Sequence, residues 1–377
     1  MRSVALLTTG RQDYGILRPL CVRLASDPRF DASLFVGGMH LGRTRQNALA
    51  AIEADGLPIA ARLDETSGEG AAQAGAMVRQ IADALARLRP EAMVLVGDRS
   101  ETAAAALAST LARVPIVHLH GGEETEGAID NAFRHAITKL AHLHLVSHPD
   151  HAARVRQLGE PDENIHVVGA PGLDNLHRTD LPNRAALERF LGLPLREPVV
   201  VVTLHPTTLG DDPHTEARAL TRALASLDAT YVITLPNNDR GAAETRKELE
   251  RFVAAGDRRV AIEALGDARY HALLREAHAM IGNSSSGLIE APIYGLPVVN
   301  VGDRQLGRLR AANVLDTRPD AEAIAAALRR ALAPAFRASL VGMNSPYGDG
   351  HSAPRIIELL AAWEPPNPPR KRFVKTL

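Results

Sequence analysis

Short apolar runs rich in valine, isoleucine and leucine alternate with longer stretches of helical period from one end of the chain to the other, the pattern of parallel sheets wound through βαβ units. In the first half these runs predict strands over residues 4–9, 32–37, 92–97, 115–120, 143–147 and 165–169. The pattern then restarts, with strands over 198–205, 230–235, 258–265, 279–283 and 297–302. Between the two sets lies "GAPGLDNLHRTDLPNRAALE" (169–188), rich in Gly, Pro and Asn, and the hinge belongs there. The reading is an α/β chain of two open parallel sheets: an N-terminal domain over 1–175, a C-terminal domain over 176–351, and a C-terminal helix and loosely structured basic tail over 352–377 that can pack back on the first domain.

Polar and glycine-rich stretches gather directly after the predicted strand ends: "TTGRQDYG", "GGMH", "GDRSE", "HGGEE", "LHPTT", "LPNND", "GNSSSG" and "GDRQLGR". Open parallel sheets bind ligands at the carboxyl ends of their strands, and a cleft between two such domains is a favoured place for a site. A single polar βα loop means little, because loops are polar anyway. Eight of them carrying His, Arg, Asp and Gly mark an active-site face.

Composition narrows the partners. At 377 residues the chain exceeds the size at which one core stops growing, which fits two domains. A formal net charge of -1 and 3% aromatic residues give neither attraction for phosphate backbones nor material for base stacking, so nucleic acid is not expected. The single Cys21 excludes an intrachain disulfide and a cysteine-clustered zinc site. The N-terminus has too few apolar residues for a signal peptide, and no apolar run reaches membrane-spanning length. A cytoplasmic protein without membrane contact is the expectation.

Two regions carry chemistry. "AMIGNSSSGLIEAP" (279–292) reads as strand, tight turn and helix, with Ser284 or Ser285 as cap and free backbone N–H groups that suit a phosphate. A plain N-cap explains the serines equally well. Glu290, about one and a half turns on, adds reach to a ribose diol, and Arg11, Arg304 and Arg308 add charge for a diphosphate. Neither a Walker motif nor GxGxxG occurs, which removes the usual support for ATP hydrolysis and NAD binding. The second region is acidic. Asp98 follows a strand, Glu123 starts a loop at the end of "PIVHLH", and Asp130 opens a helix carrying Arg134 and His135. Asp130 is a cap or a catalyst, and Arg134 is its i, i+4 surface partner or a support for the site. Glu124 and Lys139 read as solvated. A carboxylate in a cleft can be tuned towards neutrality, and His205 would face it from the second domain or serve only as a hydrogen-bonded core residue.

Taken together, "TTGRQDYGILRPL", "GDRSE", "HGGEETEGAIDNAFRHAITKLAHLHLV", "LHPTT", "LPNND" and "GNSSSGLIEAPIYGLPVVNVGDRQLGR" resemble, in order over about residues 3 to 316, the hydrolysing UDP-N-acetylglucosamine 2-epimerases of bacterial sialic-acid and legionaminic-acid type. The resemblance implies two Rossmann-like domains in the GT-B manner, with the active site in the interdomain cleft and UDP held mainly by the C-terminal domain. It implies anti elimination of UDP through a 2-acetamidoglucal, then hydration to a free sugar of N-acetylmannosamine type, without cofactor or metal. By motif, Asp98, Asp130 and His205 fall at catalytic positions. Arg11, Ser284, Ser285 and Glu290 fall at UDP positions, and His40, Arg134, Asn238, Ser286 and Arg304 complete the expected substrate-binding set. Many members carry Glu where this chain has His120, "HxEGGE" against "HLHGGE", which makes Glu123 the candidate to take over that carboxylate's work. "TEGAID" and "GNSSSGLIEAP" look closer to the legionaminic-acid branch, whose substrate is UDP-N,N'-diacetylbacillosamine. A homodimer or homotetramer is expected from the family. The competing readings are a GT-B glycosyltransferase, which would need an acceptor, a silent UDP-sugar sensor, and a non-hydrolysing epimerase.

Overall fold

The computed structural model describes residues 1–41, 49, 52–64, 70–126, 129–206, 213–236, 241–263 and 265–375. The chain divides into two compact units. The first comprises Met1–Glu123, Asp130–Asn175 and Tyr347–Leu377, and the second Glu124–Ile129 and Leu176–Pro346.

The first unit is built on a seven-stranded sheet: β1 (Arg2–Thr8), β2 (Phe30–Gly37), β3 (Ile59–Leu63), β4 (Ala92–Val96), β5 (Ile116–Leu119), β6 (Leu143–Val146) and β7 (Ile165–Val167). Its order is β3-β2-β1-β4-β5-β6-β7, parallel throughout. Alternate strand residues feed two cores, as the period-2 geometry of a strand requires. Val4, Leu6, Leu34, Val94 and Val117 meet α1 (Arg11–Ser26) and the C-terminal helix Ser352–Ala362 on one face. Ala5, Leu7, Phe35, Met93 and Ile116 meet α2 (Ala71–Leu88) and α3 (Ser100–Leu111) on the other. Each fully buried branched side chain in such a core contributes roughly 1.5–3 kcal/mol.

The C-terminal helix belongs to this unit because its Ile356, Ile357 and Leu360 are buried in the β1 core. Its first turn is held by Asp174, whose carboxylate accepts from Ser352 N at 2.8 Å and Ala353 N at 2.7 Å, satisfying donors that the helix leaves open. The tail beyond it is more defined than its composition implies. Lys371 pairs with buried Glu160, and Val374 N donates to Gly159 O at 2.8 Å. Lys139, expected to be solvated, also donates to Glu160 at 2.6 Å and lies 4.9 Å from the Phe373 ring centroid. Burial opposes the Glu160 charge, but hydrogen bonds from His144, Lys139 and Lys371 outweigh it and hold the carboxyl down to about 2.

The second unit repeats the plan with β8 (Val199–Thr203), β9 (Thr230–Thr234), β10 (Arg259–Ile262), β11 (Ala279–Gly282), β12 (Val298–Val301) and β13 (Val314–Thr317), in the parallel order β10-β9-β8-β11-β12-β13. Two doubly wound sheets therefore stand where the apolar pattern placed two α/β domains. Strands β3 and β13 were not legible in that pattern. Each is short and broken by a charged residue, "IAARL" and "VLDT", so neither forms a continuous apolar run.

Candidate active site

Each sheet reverses its strand order once, at β1/β4 in the first unit and at β8/β11 in the second. Open α/β sheets take ligands outside the carboxyl ends of the strands at such a reversal. Asp98 follows β4, and His205 follows β8.

In the first unit a left-handed Gly97 (φ 74°) turns the chain so that Asp98 emerges partly exposed. Its carboxylate pairs with Arg134. Arg134 is 1% exposed, so it is no surface partner of Asp130. It lies with Ile137 and Thr138 on the inward stripe of α4 (Asp130–Leu140), the i, i+3, i+4 spacing that buries one helix face. Its Nη1 also donates to Glu123 O at 2.9 Å and to Asn131 Oδ1 at 3.0 Å. One guanidinium thus ties Asp98 to the start of the Glu123 loop. Asp130 occupies the first position of α4, half-buried, where the helix dipole favours a negative charge.

Glu123 is itself buried. Its Oε1 accepts from His120 Nδ1 at 2.7 Å and from Ser147 Oγ at 2.9 Å. Ser147 Oγ also lies 2.9 Å from His151 Nδ1. A hydroxyl has one proton to give, and with that proton on the carboxyl the His151 nitrogen donates to Ser147. Burial pushes His151 down to about 4, so it is neutral near pH 7. His118, one turn of the pleat before His120, bonds Thr138 Oγ1 at 3.2 Å and Gly97 O at 2.9 Å. Burial holds it down to about 3, and its role is to anchor the Asp98 turn to β5. His40 lies behind β1, its Nε2 2.8 Å from Thr8 Oγ1. Arg11 opens α1, but its side chain lies outside the described residues, as does Asn238. The first backbone donors around α1 are taken by Asp13, which accepts from Thr9 N at 2.7 Å and Gly10 N at 3.1 Å.

In the second unit the organising residue is Asn283, fully buried just after β11. Its side chain clamps the backbone of His205 in both directions, accepting from His205 N and donating to His205 O, each at 2.8 Å. Its own carbonyl accepts from Gln305 Nε2 at 2.8 Å and Arg304 Nη1 at 3.2 Å. Burial, reinforced by the Arg304 charge, pushes His205 down to about 3. The imidazole at this reversal is neutral. Gly282 (φ 136°) is required there, because a Cβ would stand 1.9 Å from Thr203 O.

The serine stretch departs from its expected form. The helix after β11 is one turn long, Ser286–Ile289, and Glu290 caps its end rather than standing one and a half turns in. Pro292 cannot donate to a continued α-helix, and Ala291–Tyr294 tightens into a 3-10 turn. A single turn carries little macrodipole, so the backbone and hydroxyl donors matter here, not a helix field. Ser284 Oγ accepts from Ser286 N at 3.3 Å, and Ser285 is the N-cap without a side-chain cap bond. Ser286 Oγ is 2.6 Å from the hydroxyl of Tyr270, whose ionisation burial and Glu290 suppress.

Sequence reasoning missed Ser147, His151, Gln305 and Glu216. Glu216 lies beside Gly302, where an added Cβ would come within 2.7 Å of its Oε1. Burial, with the Asp303 charge, raises its carboxyl to about 7. Its signal was slight, since it sits in the first turn of a helix (Pro213–Ala225), where acidic residues are common. Among the described residues no group of three or more His, Cys, Asp or Glu could hold a metal ion, and no helix is long and apolar enough to cross a membrane.

The family profile described as UDP-N-acetylglucosamine 2-epimerase matches residues 22–361. The chain is 32% identical over 366 residues to the UDP-N,N'-diacetylbacillosamine 2-epimerase (hydrolyzing) of Legionella pneumophila, covering 96% of each. It is 30% identical over 351 residues to the UDP-N-acetylglucosamine 2-epimerase of Neisseria meningitidis serogroup B, covering 88% of each. In fold it is similar to the crystal structure of the UDP-GlcNAc 2-epimerase from Neisseria meningitidis bound to UDP-GlcNAc, with a TM-score of 0.81 at 17% identity over 96% of this chain and 99% of that one. With its two doubly wound units in the GT-B-like manner, the chain belongs to the UDP-N-acetylglucosamine 2-epimerase family.

Proposed function

We propose that this protein is a hydrolysing 2-epimerase that eliminates UDP from a UDP-2-acetamido sugar and hydrates the resulting 2-acetamidoglucal to the free 2-epimer. The observation that carries this reading is the first unit's linked set, Asp98 to Arg134 to the Glu123 loop to His120, at the exits of β4 and β5. Elimination across C1 and C2 needs a placed base, and hydration needs a proton donor at C2 and a base for water. Asp98, Glu123 and Asp130 supply acid and base groups for this. Departure of UDP needs cations and N–H groups on the diphosphate, and Arg304, with the Ser284, Ser285 and Ser286 turn, supplies them. Glu290 is the candidate for the ribose hydroxyls, and the neutral His205 can donate or accept a hydrogen bond without an added charge. His40 and Arg11 belong to the substrate set.

The names of the Legionella pneumophila and Campylobacter jejuni relatives, each 32% identical, support the hydrolysing outcome and UDP-N,N'-diacetylbacillosamine as substrate, with UDP-N-acetylglucosamine the alternative. The enzyme would work in the cytoplasm as a homodimer or homotetramer, feeding synthesis of sialic-type sugars. The test is proton NMR in deuterated water with each UDP-sugar, without acceptor or cofactor. Free UDP and a reducing 2-epimer deuterated at C2 are expected, with the faster substrate naming the sugar. Formation of a UDP-linked epimer would instead show a non-hydrolysing enzyme, and folded protein that binds UDP but leaves both spectra unchanged would remove the reading.

A further inference from the structure

His120 stands out on three counts. Its φ of 64° lies in the left-handed region, which costs an L-residue roughly 1–2 kcal/mol. The two other described non-glycine residues with positive φ, Arg89 and Arg113, each follow a helix end, where a left-handed residue is the ordinary way to stop. His120 follows a strand, in a stretch where glycine is used freely in the next two positions, Gly121 and Gly122. A histidine held there in place of glycine points to a need for its side chain.

His120 is 6% exposed, and its ring is oriented at one nitrogen only. Nδ1 donates to Glu123 Oε1 at 2.7 Å, while Nε2 has no hydrogen-bond partner among the described residues. With the proton fixed on Nδ1, Nε2 is a lone-pair acceptor. The carboxyl that fixes it is itself held by Ser147, and Ser147 by His151. An imidazole oriented through one nitrogen by a braced carboxyl, with the other nitrogen buried and without a partner, is the arrangement of a proton-transfer residue.

We propose that His120 is a catalytic residue whose Nε2 takes the C2 proton of the sugar as UDP departs, and that Glu123 acts through it as the positioning residue, which narrows the acid or base role given to Glu123 above; this rests on the hydrolysing 2-epimerase reading. As the C1–O bond begins to break, positive charge at C1 acidifies the C2 proton, so its removal does not call for a strong base. The C2–H electron pair becomes the C1=C2 double bond, the C1–O pair leaves with the diphosphate, and the proton resides on Nε2 until solvent removes it. Hydration then adds a water oxygen to C1 while another group gives a proton to the opposite face of C2, and the proton that the water releases restores that group. The titratable and charged groups around His120 and Glu123 include His118, His151, Arg134 and Arg154, of which both histidines are held neutral by burial.

The experiment is His120→Asn, because asparagine tolerates left-handed backbone and can still donate to Glu123, yet accepts no proton there. UDP release from the faster UDP-sugar is expected to fall by about 10²–10⁴-fold. UDP affinity should stay within about threefold, and hydration of supplied 2-acetamidoglucal in the presence of UDP within about tenfold, on the same reasoning that only one proton transfer is lost. UDP release within about threefold of wild type, or loss of both half-reactions together, would overturn the proposal. If the Asn variant does not fold, His120→Gly suits the backbone, and added imidazole is expected to restore UDP release; no restoration would count against a proton-transfer role. Glu123→Gln should move the acidic limb of kcat to lower pH, because removing the negative neighbour makes the imidazole less basic. An unmoved limb would deny Glu123 its positioning role. A wild type inactive on both sugars overturns the reaction reading itself, whereas an active wild type with an unaffected Asn variant overturns only the assignment to His120.

Discussion

The two sheets share one strand order, yet the reversals are furnished differently. At β1/β4 the first unit sets charges against each other: Asp98 on Arg134, with His120 on Glu123 beside them. At β8/β11 the second unit uses an uncharged amide, Asn283, to fix the backbone of a neutral histidine and to receive Arg304 and Gln305. Ionisable groups gathered around one buried cation can exchange protons and respond to a developing charge. An amide clamp cannot ionise, so it fixes geometry. On the proposed function, proton chemistry is expected of the first unit and anion holding of the second, on one fold.

The strongest way to break that comparison is to remove the cation at the centre of the charged set. Arg134→Met leaves the Asp98 carboxylate without its partner and the Glu123 carbonyl without its donor. Breaking a buried pair in this way costs roughly 3–5 kcal/mol, reduced here because Asp98 is 20% exposed. Urea unfolding should show a loss of about 3 kcal/mol together with loss of turnover. A variant of near wild-type stability would mean that Arg134 is not the hub of the network.

Protonation tests whether the units differ in charge but agree in their buried histidines. His118 in the first unit and His205 in the second both have folded values near 3, against an ordinary 6.5. Between those values the unfolded chain holds a proton that the folded chain does not, so stability rises with pH and falls as pH drops below about 6.5. Each histidine contributes a slope of up to about 1.4 kcal/mol per pH unit. The melting temperature should fall steadily from pH 7 to 5, and His205→Gln should flatten the decline. A flat profile over that range would show that these rings take up protons in place.

A smaller effect is expected from Asn283→Ala, which orphans His205 N and O and removes the acceptor for neither Arg304 nor Gln305, since both bond the Asn283 backbone carbonyl. The cost should be about 1–3 kcal/mol for the unsatisfied buried groups. UDP affinity should weaken while any proton exchange measured at the sugar is retained. Equal loss of both would erase the division of labour between the units.

Much of this was legible in the chain itself, for reasons that differ by residue. Central strands such as β4 and β8 are buried on both faces, so their apolar runs are unbroken and announce both themselves and the polar residue that follows, Asp98 or His205. Strands β3 and β13, "IAARL" and "VLDT", are short and each broken by a charged residue, and they vanish into their surroundings. Arg134 looked like a surface ion-pair partner because its spacing from Asp130 fits one, and only the packing of α4 shows that it faces inward to Asp98. The serine turn looked like a full helix because Ser, Gly, Leu and Ile can begin one, while Pro292 and Gly295 decide that it stops. The link from Glu123 through Ser147 to His151 joins β5 to β6 and its following helix, a contact between segments that no local pattern encodes.

The least effect, and the one that probes the second unit's restraint from charge, concerns Glu216. Burial, then the Asp303 charge, raises its carboxyl to about 7 from an ordinary 4.5, with Arg304 opposing. The folded chain therefore keeps a proton that the unfolded chain releases. Its contribution is complete below about pH 4.5 and is lost as pH rises through 7. Glu216→Gln, neutral at every pH, should match wild type at pH 4 and exceed it at pH 8.5, by under about 1 kcal/mol because the group is only partly buried and water screens it. Thermal melts of the two proteins across that range measure the crossover. A gain that is the same at both pH values would trace to packing against Gly302, and the second unit would then hold one ionised carboxylate beside Arg304, narrowing its contrast with the first.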